Sequence, residues 1–393
     1  MNYILFDGTV RKSLLPLTYT RPVADLRVGI LTIREKWERQ LGTATTTITE
    51  DYLEDKYPMV EMDQNIMINA SVLPSVDLID KVKELRENEA IFKNDEVIAF
   101  FAKKEQDTVD FDLYTQIECP NKVLQIKNLW DLFSLNDQAI QSDFDLITEG
   151  RKSQPIPQGV QHVNGQNIFI EEGCEILFSN LNADHGPIYI GKNCQIMEGS
   201  NIRGPFAMGE NSVVKMGAKV YGATTLGPNC KIGGELKNVI MFGNSSKGHE
   251  GYLGNSVLGE WCNCGADTNS SNLKNNYGYV KLWNYELEDF GETGLQQVGL
   301  IMGDHSKCGI NTMFNTGTVV GVSANIFGSN FPPKFVPSFS WGSGEGFSTY
   351  RKEKALETFR AVLNFSNDSP DEKDLFILED VFERSEKYRH KKQ

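Results

Sequence analysis

The stretch KGHEGYLGN, residues 247 to 255, sets His249 among glycines, with little apolar bulk to hold it. An imidazole with an ordinary pKa of about 6.5 exchanges protons near neutrality, so a loop that carries one to a substrate has the means for general-base chemistry. A second chemistry-bearing stretch opens the chain, FDGTVRKSLLPLTYTRP from Phe6 to Pro22. By itself its Asp7-Gly8 pair before a threonine is a common turn.

Composition bounds the partners. The chain has 393 residues, enough for more than one domain, and a formal charge of -14. Neutralising a nucleic-acid backbone needs clustered Lys and Arg, so a broad nucleic-acid surface is excluded, and anionic small molecules are expected only in a locally basic recess. No apolar run reaches the ~18 residues of a membrane span. MNYILFDGTV lacks a basic region followed by a cleavage site, so no membrane association is expected and a cytoplasmic address follows. The scattered cysteines suit reduced thiols in that compartment better than a disulfide framework.

The elements that must hold His249 declare themselves by a repeat. Reading in sixes, Ile190, Ile196, Ile202, Met208, Val214, Val220, Leu226 and Ile232 occupy the first position, and the fifth is mostly small: Cys194, Ser200, Ser212, Ala218, Thr224, Cys230. After a shift of two the pattern resumes as YLGNSV, LGEWCN and CGADTN, and after a long interruption as MGDHSK, CGINTM, FNTGTV and VGVSAN. One aliphatic and one small inward residue per six describe short strands joined by tight corners, stacked so that the aliphatic residues form a buried column. Residues 166–335 are therefore expected to form a hexapeptide-repeat parallel β-helix, which in known examples is left-handed. Its edges and an outer face need cover, and, as the resemblance to hexapeptide-repeat proteins implies, neighbours in a homotrimer are the expected source. His249 falls where the register has just shifted, so it is expected on a loop freed from filling the column.

Residues 1–150 read differently. NYILF is a buried strand, GILTIREKWERQL an amphipathic helix with Ile30, Ile33, Trp37 and Leu41 on one face, and NIMINA and EVIAFFA are strands with the helix VDLIDKVKEL between them. This alternation predicts an α/β, Rossmann-like layer with a mostly parallel sheet. GRKSQPIPQG lies in a linker over 151–165, and Leu356, Phe359 and Leu363 mark a helical appendage over 336–393.

SSKGHEGYLGN, followed by EWCNCGADTNSSNLKNN, closely resembles the acetyltransferase domain of the bifunctional N-acetylglucosamine-1-phosphate uridylyltransferase/glucosamine-1-phosphate acetyltransferase family. That family shares a GH-x-x-YLG stretch, an N-x-GA segment and a further asparagine. The resemblance implies that His249 is the general base and that Tyr252 lies beside the sugar and its phosphate. It implies that Asn263 and Asn272 hydrogen-bond the substrate, and that the backbone of Ala266 meets the thioester of acetyl-CoA. Lys237 matches a family lysine, and Lys219 stands where the family has an arginine. The roles cohere chemically. An ammonium must lose a proton before it attacks a thioester, lysines answer the phosphate, and the developing oxyanion needs donors. Leu273 replaces a family tyrosine, and extra residues between Ser271 and Val298 bear on which amino sugar is used. Lys281 is the nearest candidate for a further family lysine, and coenzyme A is expected along 302–326.

Metal chemistry is the main competitor for the histidines. Hexapeptide-helix proteins that resemble the gamma carbonic anhydrases converge three histidines between subunits, and the spacing of His162, His185, His249, His305 and His390 does not reproduce that pattern. Cys262 and Cys264 are read as corner and column fillers.

The opening run, continued by LRVG, resembles the start of sugar-nucleotide pyrophosphorylases. By that resemblance Gly8, Thr9, Arg11 and Arg21 bind nucleotide, UTP by expectation, with Mg2+ bridging the phosphates. One glycine of the family loop is missing. Val23 replaces a lysine, with Arg21 or Arg27 as substitutes, and Ala70 and Ser71 stand where the family has a magnesium-binding aspartate; Asp7 is the nearest carboxylate. The expected enzyme is a bifunctional transferase that acetylates glucosamine 1-phosphate and then joins the product to UTP, giving UDP-N-acetylglucosamine and pyrophosphate. Two alternatives stand beside it: an acetyltransferase with a non-catalytic nucleotide-binding domain, and a trimeric scaffold without turnover.

Overall fold

The computed structural model describes residues 1–106, 108–119, 121–366, 369 and 371–389, so His390 lies outside the described residues. The N-terminal region is a sheet with strands in the order Thr46–Ile48, Asn2–Phe6, Gln64–Asn69, Glu96–Lys103, Glu89–Lys93 and Thr115–Glu118. The expected mostly parallel sheet is present, with five of its six strands running the same way. Glu96–Lys103 runs antiparallel to both of its neighbours, and only the remaining pairs are parallel. The cause is local: Asn94 and Asp95, at φ 49° and 63°, turn the chain straight back, leaving no room for the crossover that a parallel pair requires. Helix α1, Ile33–Leu41, starts in a capping box between Thr32 and Glu35, ends at Gly42, and buries Ile33, Trp37 and Leu41. Helix α2 is Val76–Glu84, and α3 is Leu129–Thr148.

From Gln161 the chain winds as a three-sided parallel β-solenoid, with strands of a face pairing in register from coil to coil. The first face holds Asn180–Asn182, Asn201–Arg203, Lys219–Tyr221 and the openings of the long strands Glu235–Gly243 and Tyr252–Glu260. The second holds Ile188–Ile190, Phe206–Met208, Thr224–Leu226, the ends of those long strands, Leu300–Met302 and Thr318–Val320. The third runs from Glu175–Ile176 through Lys231–Ile232, Ser246–Lys247 and Lys307–Cys308 to Asn325–Ile326. All eight first-position residues from Ile190 to Ile232 are buried inside, as are the small fifth-position ones. The frame YLGNSV is one residue out: Leu253, not Tyr252, is the inward partner of Leu236, so Tyr252 points outward.

Strand alternation also fixes where the other parts dock. On the second face Val239, Met241, Leu258, Met302 and Val320 fill the solenoid, while Ile240, Phe242, Val257, Ile301 and Val319 point out and join the core of the N-terminal region. Cover for this face thus comes from the same chain. Helix α3 carries the contact: Asn136 accepts from the Gly29 amide at 2.7 Å and donates to the Ala223 carbonyl at 3.0 Å. A Cβ at Gly29 would meet Asp143 at 2.5 Å, so only glycine permits that approach. The residues added between Ser271 and Val298 form the hairpin Lys281–Asn284/Asp289–Glu292, whose Trp283 stacks on Phe335 at 4.1 Å. Tyr285 meets Tyr19 of the N-terminal region edge-on at 5.7 Å and Tyr388 at 5.1 Å, so the insertion staples the two regions together.

The appendage differs from its expected limits. Solenoid strands continue through Ser340–Ser343, on which Gly346–Thr349 folds back antiparallel, and helices begin only at α4, Lys352–Phe365, followed by α5, Glu372–Arg384. Both pack on the rest of the molecule, Phe359 of α4 against His305, and in α5 Phe382 against Phe339 and Arg384 over the ring of Tyr52. No helix among the described residues is long and apolar enough to cross a membrane.

One buried ion pair joins the regions. Arg21 binds Asp304, which also accepts from Thr20 at 2.5 Å and from the Glu260 amide at 2.8 Å. Asp304→Ala leaves the guanidinium buried with only Glu260 at 3.2 Å. Thermal and urea unfolding should show a loss of about 3 kcal/mol, and Arg21→Met in the same background should recover part of it.

Candidate active site

The corner that carries His249 is shaped by a deletion in the coil before it. Inward residues of the third and first faces are six apart at Ile196 and Ile202 and at Val214 and Val220, but only four apart at Ile232 and Leu236. The corner returns to six between Lys247 and Leu253. The corner Gly233–Gly234, directly before the one with His249, is therefore two residues short. A Cβ at Gly233 would meet the Gly248 carbonyl at 2.7 Å, and one at Gly234 the Gly251 carbonyl at 2.7 Å. The two corners thus lie backbone on backbone. The His249 side chain is exposed.

Beside this corner the first face presents two outward columns. Lys219, Glu235 and Tyr252 stack in register in one, and Tyr221, Lys237 and Gly254 in the other. Lys219 reaches Glu250 of the His249 corner at 3.8 Å, and Tyr221 donates to Glu235 at 2.6 Å. The Tyr252 amide is held by Asn269 at 2.8 Å, and its hydroxyl lies against Asn272. Burial, then the nearby Glu235 carboxylate, raise the pKa of that hydroxyl. Asn272 in turn donates to Asn255 at 2.7 Å.

Of the residues singled out in the sequence, Lys219, Lys237, Tyr252 and Asn272 come together on this face, with His249 at its edge. Asn263 does not join them within one chain; it is exposed on the third face, in register with Ser246 and Lys307. Ala266 holds the position of His249 one coil further on, and its carbonyl accepts from the Asn311 amide at 2.8 Å. Asn255 was not singled out, although its place beside the YLG stretch could have drawn attention to it. Lys247 was missed because a lysine beside a glycine reads as surface.

The N-terminal stretch is arranged otherwise. Gly8 sits at φ 62° and ψ -168°, a conformation that only glycine takes readily, and with exposed Thr9 and Lys12 it lines a cleft of about 450 Å³. Glu50 and Glu286 line the same cleft and oppose a polyphosphate there. Arg11 is buried and donates to Asp7 at 2.6 Å, to the carbonyls of Thr18 and Arg21, and to Thr49 and Tyr52. Arg21 is buried against Asp304, with its guanidinium over the Phe242 ring. Both arginines are spent on structure. Asp7 accepts from Arg11, from Thr49 at 2.6 Å and from the Val23 amide at 2.6 Å, so neither of its oxygens is left for a metal. Ala70 and Ser71 are buried, and no cluster of three or more His, Cys, Asp or Glu residues suited to a metal occurs among the described residues. These residues do not fit a phosphate-bridging Mg2+.

Residues 3–152 match the family model described as sugar nucleotidyl transferase. The chain is 34% identical over 87 residues to the bifunctional protein GlmU of Methanocaldococcus jannaschii, covering 22% of this chain and 21% of that protein. To the bifunctional sugar-1-phosphate nucleotidylyltransferase/acetyltransferase of Sulfurisphaera tokodaii it is 32% identical over 119 residues, covering 30% of this chain and 28% of the relative. The match therefore spans 21% to 28% of the length of these relatives. A solved structure of an Arabidopsis UDP-N-acetylglucosamine acyltransferase aligns at 15% identity and a TM-score of 0.29, covering 61% of this chain and 98% of that one.

Gly254 tests the arrangement of the first face. A Cβ there would stand 2.3 Å from the Tyr252 hydroxyl and 2.9 Å from the Asn272 amide nitrogen. Gly254→Ala is expected to swing the Tyr252 ring off Asn272 in the crystal structure of the variant, at a stability cost of about 1 kcal/mol or less.

Proposed function

We propose that the solenoid transfers an acetyl group from acetyl-CoA to the amine of an amino-sugar 1-phosphate, glucosamine 1-phosphate by preference. The observation that carries this reading is the gathering of Lys219, Lys237, Tyr252 and Asn272 on one face, next to a corner that projects His249. His249 takes the proton of the attacking ammonium, Lys219 and Lys237 face the phosphate, and Asn272 and Tyr252 orient the sugar. The backbone of Ala266, at the same corner one coil on, meets the thioester, and Asn263 reaches the substrate from the third face of a neighbouring copy. Exposed apolar residues at that corner support such a copy. Phe178, Met216 and Ile310, each two places after the inward residue of the third face as His249 is, are 68%, 66% and 70% exposed. A homotrimer burying this corner would also shield the imidazole; a monomer in light scattering would remove that cover.

For the N-terminal region the family match supports uridylyl transfer from UTP to the acetylated sugar. The commitment of Arg11 and Arg21 to the interior favours a second reading, a domain that holds a nucleotide without turning it over. Labelled pyrophosphate should enter UTP in the presence of UDP-N-acetylglucosamine, and the exchange should fall in Lys12→Ala, if the first reading holds. No exchange with any sugar nucleotide establishes the second.

For the solenoid the deciding assay is thiol release from acetyl-CoA with glucosamine 1-phosphate. His249→Ala should lower the rate by about a hundredfold or more, the usual worth of a general base. A variant as active as the native protein would sink the reading.

A further inference from the structure

The inward column of the third face runs Ile176, Ile196, Val214, Ile232, Lys247, Cys264, Cys308, Ile326, all buried. A lysine thus stands where the preceding coils place aliphatic residues. Lys247 is 1% exposed and is in register with Ile232. Its ammonium donates to the carbonyl of His249 at 2.6 Å and to that of Glu250 at 2.9 Å.

An ammonium inside a solenoid is costly. Burial pushes its pKa down, and an aliphatic side chain of similar volume would fill the column without the desolvation penalty. What the lysine supplies and an isoleucine could not is a pair of charge-assisted hydrogen bonds to two successive peptide carbonyls. Those carbonyls belong to the corner that projects His249. On the outer side the same corner is braced by glycine contacts, Gly233 on Gly248 and Gly234 on Gly251, and by the Asp267 amide donating to the Glu250 carbonyl at 3.0 Å. The peptide planes on either side of Glu250 are therefore held from within and from both neighbouring coils, while the imidazole itself stays exposed.

We propose that Lys247 is a positioning residue, an internal anchor that fixes the backbone of the His249 corner so that the imidazole is presented at one angle to the first face. The proposal rests on the acyl-transfer reading of that corner. Lys247 touches no substrate and acts through the two carbonyls alone.

The test is Lys247→Met, which keeps the unbranched chain and removes the donors, set beside His249→Ala and the native protein. Amide hydrogen exchange across residues 248–252 is expected to rise by about tenfold or more while the rest of the solenoid keeps its protection. In thiol release from acetyl-CoA with glucosamine 1-phosphate, kcat should fall by about ten- to a hundredfold, the cost of a misplaced catalytic group. KM for acetyl-CoA should stay within about twofold, since no binding contact is removed. Where Lys247→Met does not fold, Lys247→Gln, which retains an N–H2 donor group without the charge, is read the same way and should show a smaller loss. Unchanged exchange, or faster exchange with kcat intact while His249→Ala is inactive, overturns the anchor alone. Native turnover equal to that of His249→Ala overturns the acyl-transfer reading and the anchor's catalytic use with it.

Discussion

The outward side chains of the second solenoid face cannot stand in water. Ile240, Phe242, Val257, Ile301 and Val319 form an apolar strip on the outside of a rod whose inside is already full. Period-two alternation makes the strip unavoidable once the inward residues are chosen. The N-terminal region, the hairpin of the insertion and helices α4 and α5 all meet over it or at its end, which is why the chain folds as one body despite its sequence halves. With the second face covered, the first and third faces and the corner between them remain open. That corner carries His249.

The same constraint explains the fate of the N-terminal arginines. A loop that resembles a nucleotide-binding opening has been drawn into the seam between the regions, where a cation must be paired. Arg21 finds Asp304 across the seam, and Arg11 finds Asp7 and the Thr18 carbonyl within its own region. Each contact that makes the seam stable takes a charge away from the cleft at Gly8. Of the cationic groups that a phosphate would meet there, exposed Lys12 is the one left on the cleft wall, opposite Glu50 and Glu286. The family likeness of residues 3–152 and the chemistry now open in that cleft therefore separate.

How much was legible in the sequence follows from the range of the forces involved. The solenoid is written in short-range terms, an aliphatic residue every six, and each of the eight positions from Ile190 to Ile232 faces inward. Sheet direction in the N-terminal region depends on which strands meet, and only the pair Asn94 and Asp95 held a local clue to the antiparallel hairpin. Tyr252 fell into the wrong frame because it lies six residues before Leu258, whereas the inward residue of the first face, Leu253, is only five before it. The arginines of the opening were visible as residue types, but not the partners, nearly three hundred positions away, that would claim Arg21. Tertiary pairing, not local propensity, decided those points.

Lys247 shows the limit of reading polarity from residue type. A lysine next to Gly-His-Glu-Gly looks like a solvated corner residue, and counted from Ile232 its place in the column is fifteen along rather than eighteen. Only the register of Ser246–Lys247 against Lys231–Ile232 puts it inside. Once inside, the side chain has few ways to satisfy its ammonium, because the solenoid wall offers carbonyls only where the strand hydrogen bonds lapse, at the corners. The shortened corner before His249 and the buried cation after it are thus two halves of one local adjustment. Removing three residues from one coil, two of them at its corner, disturbs the stacking of the next, and the lysine ties that next corner down from within. A histidine placed on such a corner gains exposure without losing a fixed backbone, a combination that neither a free loop nor a regular strand provides.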